Sequence, residues 1–432
     1  MLEIRFIRDN AEEVQKNAKN KGYDVDISKL IKLDDERRKL LTNADELRTK
    51  RNDIISKSKG SRPTDDLIAE GKAIKEQLAI IEPQSKEIDA EYQKILKTVP
   101  NMSLNSVPIG LNESENVVIK TIGDKPKFDF DPLNHADIAS KRDWIDKTRA
   151  AKVAGSRFAY IKGDLVKLQM AIVQFVINTL SDESKISEII KNAGLNISSN
   201  PFIPILPPLM IRTDMYDAMD RLEPREDRYK LDGDDLWLQG SAEHVLGSMH
   251  AGEIFDESDL PLRYVGYATS FRREAGTYGK DMEGILRMHQ FDKLEIESFT
   301  TADDGNNEHL LFIAIQEYLL AQFEIPYQVV MKCTADIGKP NASGVDMEAW
   351  LPGQNQYRET HTADYMTDYQ SRRLNTRVRR KTGNIELIHT NDATAFALGR
   401  IMIAIIENNQ TSDCKIRIPT VLRPYLADRT IL

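Results

Sequence analysis

The segment 271–295 combines residue types that suit nucleotide binding. Arg272 and Glu274 form an Arg-x-Glu step, a glycine-containing loop follows, and Phe291 and Glu295 come after that loop. Arginine binds phosphate oxygens through its planar fork, a carboxylate accepts from an exocyclic amine, and an aromatic face stacks on a purine. A strand, a loop and a second strand with these groups predict a nucleotide site. Taken alone, an Arg-x-Glu step is also typical of a surface ion pair.

Three other segments have polar groups that could converge on the same site. They are Gly240–Glu243, Asp346–Thr362 and Asn391–Arg400. An apolar run over 395–408 predicts a helix, and the small residues at its start would let a ligand approach the backbone. Arg400 would then point back at phosphate. The occurrence of four such segments in one part of the chain favours a shared site.

Each of these features also has a simpler interpretation. Glu359 next to Arg358 is more often half of a salt bridge than a metal ligand. His289 and His361 are more often structural histidines held by hydrogen bonds than catalytic groups. The sequence lacks the P-loop pattern, the G-x-G-x-x-G pattern and a His-x-Gly-His step, so kinases, dehydrogenases and Rossmann-type synthetases are disfavoured.

The composition is that of an ordinary globular chain with room for two domains. The chain has 432 residues, of which 41% are hydrophobic and 29% charged. A net charge of −9 means that any nucleic-acid contact must use a local basic patch. Only Cys333 and Cys414 occur, so neither a disulfide framework nor a cysteine-rich zinc site is expected. We expect a cytoplasmic protein, because no secretory segment and no apolar run of about 18 residues is present.

The spacing of apolar residues predicts a helical hairpin over 28–98. Apolar residues recur every three or four positions over 30–54 and again over 67–95, on either side of a break at 59–63. Two helices with matching apolar seams and a short turn make an antiparallel coiled coil. Thr64 or the residue after it can cap the second helix.

The end of this hairpin is basic, with Asp53 as its one acid between positions 48 and 62. A solvated charged face is one interpretation, and a finger that contacts RNA phosphates is the other. The basic residues are Arg48, Lys50, Arg51, Lys57, Lys59 and Arg62.

Later segments predict an α+β fold with an antiparallel sheet and flanking helices. The proline-rich stretch 201–208 suits an edge strand rather than a central one. Predicted helices cover 167–180 and 306–323, and predicted strands cover 263–271, 284–299 and 327–333.

Over its full length the chain resembles the seryl-tRNA synthetases, which are class II aminoacyl-tRNA synthetases. Motif 2 is matched very closely by LPLRYVGYATSFRREAGTYGKDMEGILRMHQFDKLE at 260–295. The other similar segments are 149–164 before the catalytic domain, 205–212 (ILPPLMIR) as motif 1, 390–410 as motif 3 and 418–426 at the C-terminal end.

The resemblance implies a tRNA-binding domain over 1–110 with the coiled-coil arm, and a class II catalytic domain of mixed antiparallel sheet over 111–432. It implies that L-serine is activated with ATP and transferred to tRNA(Ser), and to tRNA(Sec) where that tRNA exists, by a homodimer. Two alternatives are a related ligase that loads a carrier protein and a non-catalytic coiled-coil protein with a degenerate synthetase body.

The resemblance also implies roles for single residues. Arg272 would bridge the serine carboxylate and the α-phosphate of ATP, and Arg400 would hold the γ-phosphate end, so these two are the predicted catalytic residues. Glu274 would accept from the adenine amino group and Phe291 would stack on the ring. Further predicted ATP ligands are Arg287, Met288, His289, Glu359 and Thr362. Glu359 and Thr362 would also coordinate Mg²⁺, and no zinc is expected.

Serine would be bound by residues from three of the segments, and tRNA by the arm. The predicted serine ligands are Ser241, Glu243, Arg272, Glu295, Asp392 and Thr394. The predicted tRNA contacts are Arg48, Lys50, Arg51 and Lys57.

Three departures from the family pattern concern this pocket. Ser241 stands where Thr is usual, and His361-Thr362-Ala363 replaces a serine-rich step. Asp392 stands where Asn is usual, with Asn391 one place earlier. Either the Asn role has moved to Asn391, or Asp392 adds a charge to the pocket.

Overall fold

A computed structural model describes residues 1–57, 64–275 and 284–432. Lys59, Arg62 and the loop residues 276–283 lie outside the described residues. Contacts divide the chain into two compact units, Met1–Met102 and Ser103–Leu432. In the described ranges no helix is both long enough and apolar enough to cross a membrane. The domain boundary at residue 110 stays a prediction.

The first unit is helical, and its two long helices form the predicted hairpin. Ala44, Ile74 and Leu78 are buried between these helices, as the apolar spacing predicts. The Thr64 hydroxyl accepts a hydrogen bond from the backbone N–H of Leu67 at 3.4 Å and so caps the second helix. The helices are α1 (Ile4–Asp9), α2 (Ala11–Asn20), α3 (Ile27–Lys57) and α4 (Asp65–Leu96).

The second unit is built on a sheet of eight strands with helices packed against it. Its helices are α5 (His135–Lys141), α6 (Lys147–Ala154), α7 (Asp164–Leu180), α8 (Glu183–Asn192), α9 (Thr213–Ala218), α10 (Ala242–Leu246), α11 (Gly305–Gln322), α12 (Tyr369–Leu374) and α13 (Leu398–Asn408). Short 3₁₀ turns occur at Glu113–Glu115, Arg225–Asp227, Glu257–Asp259 and Thr420–Leu426. The strands are β1 (Val117–Ile122), β2 (Ile145–Asp146), β3 (Tyr160–Ile161), β4 (Ile203–Ile205), β5 (Met210–Arg212), β6 (Leu236–Leu238), β7 (Ile254–Asp256), β8 (Leu262–Phe271), β9 (Gln290–Thr300), β10 (Tyr327–Met331), β11 (Ser343–Leu351), β12 (Gln356–Thr367), β13 (Arg377–Arg379), β14 (Ile385–Leu387) and β15 (His389–Ala397).

The large sheet has the order β1-β10-β11-β12-β15-β9-β8-β4, and its neighbours run antiparallel except for the parallel pair β4 and β8. The α+β class and the antiparallel sheet are confirmed. The proline-containing strand β4 lies at the edge, where a missing N–H does not interrupt a ladder. Buried side chains of α7, α11 and α13 join those of the central strands in the main core.

Several boundaries predicted from sequence were wrong, and two of them lie beside the cavity. Strand β9 begins at Gln290 and not at 284, because the preceding residues form a turn. Residues 395–397 belong to β15, and the helix begins at Leu398. The alanines there favour a helix locally. Phe396 and Ala397, however, pair with β9, and this ladder outweighs the local preference.

Candidate active site

A cavity of about 330 Å³ lies in the second unit beside the central strands. Most residues that the sequence predicts for ATP and serine line this one cavity. They are Glu243, Arg272, Glu274, Arg287, Met288, Phe291, Glu359, Thr362, Asp392, Thr394 and Arg400. Ser241, His289 and Glu295 do not line it and lie behind residues that do. The convergence of the four segments is therefore observed.

Arg272 is held at the end of β8 by neighbours from two segments. Its Nε donates to the carbonyl oxygen of Gly240 at 2.9 Å. Its guanidinium lies 5.4 Å from the ring centroid of Phe291, within the range of a cation–π contact. Because β8 and β9 pair in register up to Phe271 and Gln290, the two strands bring Arg272 and Phe291 to the same wall.

Arg400 and Arg287 each have a carboxylate partner in the cavity. Arg400 Nη1 lies 3.1 Å from Glu359 Oε1 and donates to the Glu359 carbonyl oxygen at 2.8 Å. Arg287 Nη1 lies 3.0 Å from Glu274 Oε2. Burial alone would raise the pKa of Glu359, but Arg400 and Lys332 outweigh it and lower the pKa to about 2. Both members of the Arg400–Glu359 pair are therefore charged at neutral pH.

The side chains predicted to hold Mg²⁺ present oxygen atoms close together. Thr362 Oγ1 lies 3.5 Å from Glu359 Oε1 and donates to Asp346 Oδ1 at 2.7 Å. Carboxylate and hydroxyl oxygens are the ligand type that Mg²⁺ prefers, so the residues present fit this ion. Among residues 1–57, 64–275 and 284–432, no group of three or more His, Cys, Asp or Glu is placed to hold a metal. Further ligands would have to come from phosphate and water.

Ser241, Lys293 and Thr394 surround a buried carboxylate, that of Glu295. Ser241 Oγ donates to Glu295 Oε2 at 2.8 Å, and Lys293 Nζ lies 2.5 Å from the same oxygen. Thr394 Oγ1 lies 3.5 Å from Glu295 Oε1. Burial raises the pKa of Glu295 and Lys293 opposes that shift. Lys293 and Thr394 line the cavity, so they connect the buried carboxylate to it.

The position of Asp392 decides between the two interpretations left open by the sequence. Asn391 is buried, and its Nδ2 donates to the carbonyl oxygen of Gly305 at 3.1 Å. Asp392 lines the cavity, because successive side chains of β15 point to opposite faces of the sheet. Asn391 therefore does not line the cavity, and Asp392 adds a carboxyl group to it.

The two histidines weighed as catalytic candidates occupy structural positions. His289 Nδ1 lies 3.0 Å from the carbonyl oxygen of Arg272, and its ring packs against Phe158. His361 is fully buried against Phe396, and burial lowers its pKa to about 3. His289 thus supports the backbone of Arg272, and the prediction that it binds ATP stays a prediction.

Comparison with known proteins identifies the family. Residues 1–103 match the model of the seryl-tRNA synthetase N-terminal domain, and residues 227–409 match that of the class II tRNA synthetase core domain (G, H, P, S and T). Serine–tRNA ligases of Nitrosopumilus maritimus (strain SCM1) and Thermodesulfovibrio yellowstonii are each 36% identical to this chain, over 99% of this chain and 99% of their own. The chain belongs to the seryl-tRNA synthetases.

Solved structures agree with this assignment. Seryl-tRNA synthetase from Pyrococcus horikoshii, complexed with ATP, matches with a TM-score of 0.87 and 35% identity, over 100% of this chain and 99% of that chain. Cytoplasmic serine–tRNA ligase from Naegleria fowleri, in complex with AMP, matches with a TM-score of 0.84 and 26% identity, over 100% and 98% of the two chains. This seryl-tRNA synthetase is a ligase, and neither the carrier-protein alternative nor the non-catalytic one is favoured.

Three cationic side chains of this synthetase line the cavity without having been predicted: Arg221, Arg228 and Lys293. Lys293 could have been predicted from the sequence. It lies two residues from both Phe291 and Glu295 on β9, and every second side chain of a strand points to the same face. Arg221 and Arg228 lie between α9 and β6, where no helical or strand period indicates which side chain points inward.

The basic residues predicted to bind tRNA lie on α3 of the first unit. Arg48 forms ion pairs with Asp45 at 3.1 Å and with Glu82 at 3.0 Å. The side chains of the other three are exposed along the last turns of the helix. These are Lys50, Arg51 and Lys57.

Proposed function

We propose that this chain activates L-serine with ATP to seryl-adenylate and transfers serine to the 3′ end of tRNA(Ser). The single observation that supports this most is the shared cavity, in which Arg272, Phe291 and Arg400 lie together with Glu243 and Thr394. The relatives complexed with ATP and with AMP support a nucleotide in this fold. The full-length match to serine–tRNA ligases supports serine and tRNA as substrates.

In the activation step, a carboxylate oxygen of serine attacks the α-phosphorus, and the bond from that phosphorus to pyrophosphate breaks. No protein nucleophile is required, so the residues must position the reactants and neutralise charge. Phe291 would stack on adenine and Glu274 would accept from its amino group. Arg272 and Arg400 would bind phosphate oxygens, which suit the planar fork of arginine better than the point charge of lysine.

Glu359 and Thr362 would hold Mg²⁺, together with oxygens of the nucleotide. When bound, this ion neutralises phosphate charge. Arg400 holds Glu359 through its carboxylate, at 3.1 Å, and through its backbone carbonyl oxygen, at 2.8 Å. Asp346 accepts from the Thr362 hydroxyl and so fixes the direction of its lone pairs. The chain therefore orients both donors before nucleotide binds.

Selection of serine is a hydrogen-bonding problem. Thr394 and Lys293 line the cavity and offer partners for a hydroxyl, and Ser241 and Glu295 lie behind them in the same hydrogen-bonded group. Alanine would leave these buried polar groups unpaired, at a cost of about 1–3 kcal/mol for each. Threonine keeps the hydroxyl and adds one methyl group, which makes it the hardest competitor.

The arm would bind tRNA by charge and shape, through its exposed basic side chains and the RNA backbone. We include tRNA(Sec) as a second substrate where that tRNA exists. A homodimer is supported by exposed apolar side chains in and just before the predicted motif 1, where Leu206 is 79% exposed and Ile203 and Met210 are also exposed. We propose the cytoplasm as the site of action.

The test is ATP–pyrophosphate exchange by the purified chain with serine, threonine or alanine, followed by charging of tRNA(Ser) transcript. We expect exchange with serine, less with threonine and least with alanine, and serine attached to the tRNA. Exchange that is independent of serine, or that is fastest with another amino acid, would refute the proposed function.

A further inference from the structure

Arg221 occupies the amino-acid end of the cavity, which we define by Glu243, Asp392 and Thr394. Its side chain is 17% exposed, and its Nε donates to Glu243 Oε1 at 2.5 Å. Its Nη2 donates to the side-chain oxygen of Asn341 at 3.2 Å and lies 3.8 Å from Asp392 Oδ1. The guanidinium thus links three segments of the second unit that are distant in sequence: α10, β15 and the loop before β11.

A third carboxylate lies farther from the guanidinium of Arg221, with Asp364 Oδ2 at 4.0 Å from Arg221 Nη2. Arg221 therefore faces the acids of Glu243, Asp392 and Asp364, which all line the cavity, and Lys332 also attracts Asp364. The carboxylate of Glu243 is the nearest of the three to Arg221, and it also lines the cavity. A carboxylate at the cavity wall can bind a second, small cation, and the α-ammonium group of an amino acid is one.

The electrostatic balance among these groups depends on Arg221. Burial alone would lower the pKa of Arg221, but Glu243, Asp392 and Asp364 outweigh it and raise the pKa, so the side chain stays charged. Burial first, and then repulsion from Glu243 and Asp364, raises the pKa of Asp392 well above its ordinary value. Arg221 is the attractive group that opposes this shift.

We propose that Arg221 is a positioning residue of the serine subsite. It holds the Glu243 carboxylate in the orientation that receives the α-ammonium group of serine, and it offsets part of the negative charge of Asp392. This inference rests on the proposed function, because it assigns a role within the subsite for serine. A preorganised carboxylate binds a cation without first having to be oriented, so loss of Arg221 weakens serine binding more than ATP binding.

The first test is pyrophosphate exchange by Arg221→Gln, with serine and ATP varied separately. We expect the KM for serine to rise about tenfold or more and the KM for ATP to change by less than about twofold. Arg221→Lys keeps the charge but not the fork and gives an intermediate KM for serine. In Arg221→Gln/Asp392→Asn one acid is removed with the cation, and we expect part of the affinity for serine to return.

Arg373→Gln is the matched control. Arg373 is a buried arginine with two acidic partners, at 3.1 Å from Asp220 and 3.4 Å from Asp217, and it does not line the cavity. We expect this variant to lose thermal stability and to keep the KM for serine of the parent. An equal rise in the KM for serine in both variants would show that any buried arginine has this effect, and would overturn the proposal.

Binding of two inhibitors by titration calorimetry provides a readout that does not need turnover. Seryl-sulfamoyl adenosine resembles the adenylate, and sulfamoyl adenosine lacks the seryl group. We expect Arg221→Gln to weaken the first about tenfold and the second by less than about twofold. Equal weakening of both, or of neither, would contradict the proposal.

The remaining outcomes are also decisive. If no Arg221 variant folds while Arg373→Gln folds, Arg221 has a purely structural role and the proposal is wrong. If the parent protein shows no serine-dependent exchange, the proposed function itself fails, and that result is distinct from any difference between variants.

Discussion

Arginines of the cavity already form ion pairs with glutamates, and these pairs hold the arginines in place for a polyanion. Arg400 has Glu359 as its partner, and Glu359 in turn raises the pKa of Arg400. Arg400 is therefore fixed and charged before phosphate arrives. Such preorganisation is what makes charge stabilisation effective, because little reorientation is needed during the reaction.

Replacement of Arg400 by lysine tests whether the fork matters in addition to the charge. We expect kcat/KM for ATP in the exchange reaction to fall about 10–100-fold, since an ammonium group cannot hold two oxygens at once. Arg423→Lys, a change outside the cavity lining, is the control and should leave kcat/KM unaltered. Full activity of Arg400→Lys would show that only charge is needed there.

Thr394→Val tests selection of the serine hydroxyl. Valine has nearly the shape of threonine but no hydroxyl, so the buried carboxylate of Glu295 loses one of its neighbours. We expect kcat/KM for serine to fall about 5–150-fold, which corresponds to about 1–3 kcal/mol, and the preference for serine over alanine to shrink. An unchanged ratio of serine to alanine exchange would exclude Thr394 from the selection.

How far the sequence predicts the site depends on whether a residue lies in a periodic element. Arg272, Phe291 and Thr394 lie in or next to strands, and the four segments that contain the predicted residues do converge. Lys293 was missed, although its position two residues after Phe291 on β9 predicts that both side chains face the cavity. Arg221 could not have been found, because its inward position depends on a loop and on acids that are distant in sequence.

At the scale of elements, local spacing was a good guide where an element packs mainly on its sequence neighbour. The apolar seams of α3 and α4 were predicted because one helix faces the next in the chain. The last three residues of β15 were mistaken for the start of a helix, because their partner strand, β9, comes from a distant part of the sequence. Such non-local pairing leaves no pattern in a short window.

Because the predicted tRNA contacts lie on the arm and not in the cavity, we expect them to affect the transfer of serine to tRNA but not the activation of serine. Removing the positive charges of the arm should weaken charging of tRNA about tenfold or more, since each phosphate contact contributes to binding, and should leave serine-dependent pyrophosphate exchange unchanged. The measurement compares the initial rates of both reactions in the parent and in the variant. The variant replaces four residues by alanine: Arg48, Lys50, Arg51 and Lys57.

The control variant removes the same number of charges from parts of the first unit that lie away from the basic end of the arm. Equal loss of charging in the control, or equal loss of exchange in the arm variant, would refute the division of labour. The control variant replaces four exposed lysines by alanine: Lys16, Lys19, Lys32 and Lys39.

The first turn of α7 is joined to the C-terminal segment by an ion pair that predicts a pH effect on stability. Arg429 donates to both carboxylate oxygens of Asp164, at 2.9 and 3.0 Å, and these bonds lower the pKa of Asp164 to about 2. A pKa lowered by folding stabilises the native state above the ordinary pKa of 3.8, and the stabilisation is lost as the pH falls through 2.

Arg429→Gln should therefore lower the free energy of unfolding by about 0.5–1 kcal/mol at pH 7, a value reduced from the full shift because the pair is partly exposed. The difference from the parent should shrink between pH 4 and pH 2, as measured by urea unfolding at several pH values. A difference that is constant over this range would mean that the ion pair is not its source.

At the scale of the whole molecule, each unit has a separate task in the proposed reaction. The second unit contains the cavity and the first contains the basic arm. The exposed apolar residues near motif 1 predict a further level of organisation, a homodimer. Light scattering of the parent protein should give twice the chain mass of 49.1 kDa. In the Leu206→Asp variant, the measured mass should fall towards that of one chain. A monomeric mass for the parent would contradict the dimer.

The most direct measurement for the central claim is a crystal structure of the parent protein with seryl-sulfamoyl adenosine. We predict the adenine ring on the face of Phe291, the sulfamoyl group at Arg272, and the seryl group between Glu243 and Thr394. A ligand bound outside this cavity, or one with its seryl group far from Glu243 and Thr394, would contradict the account.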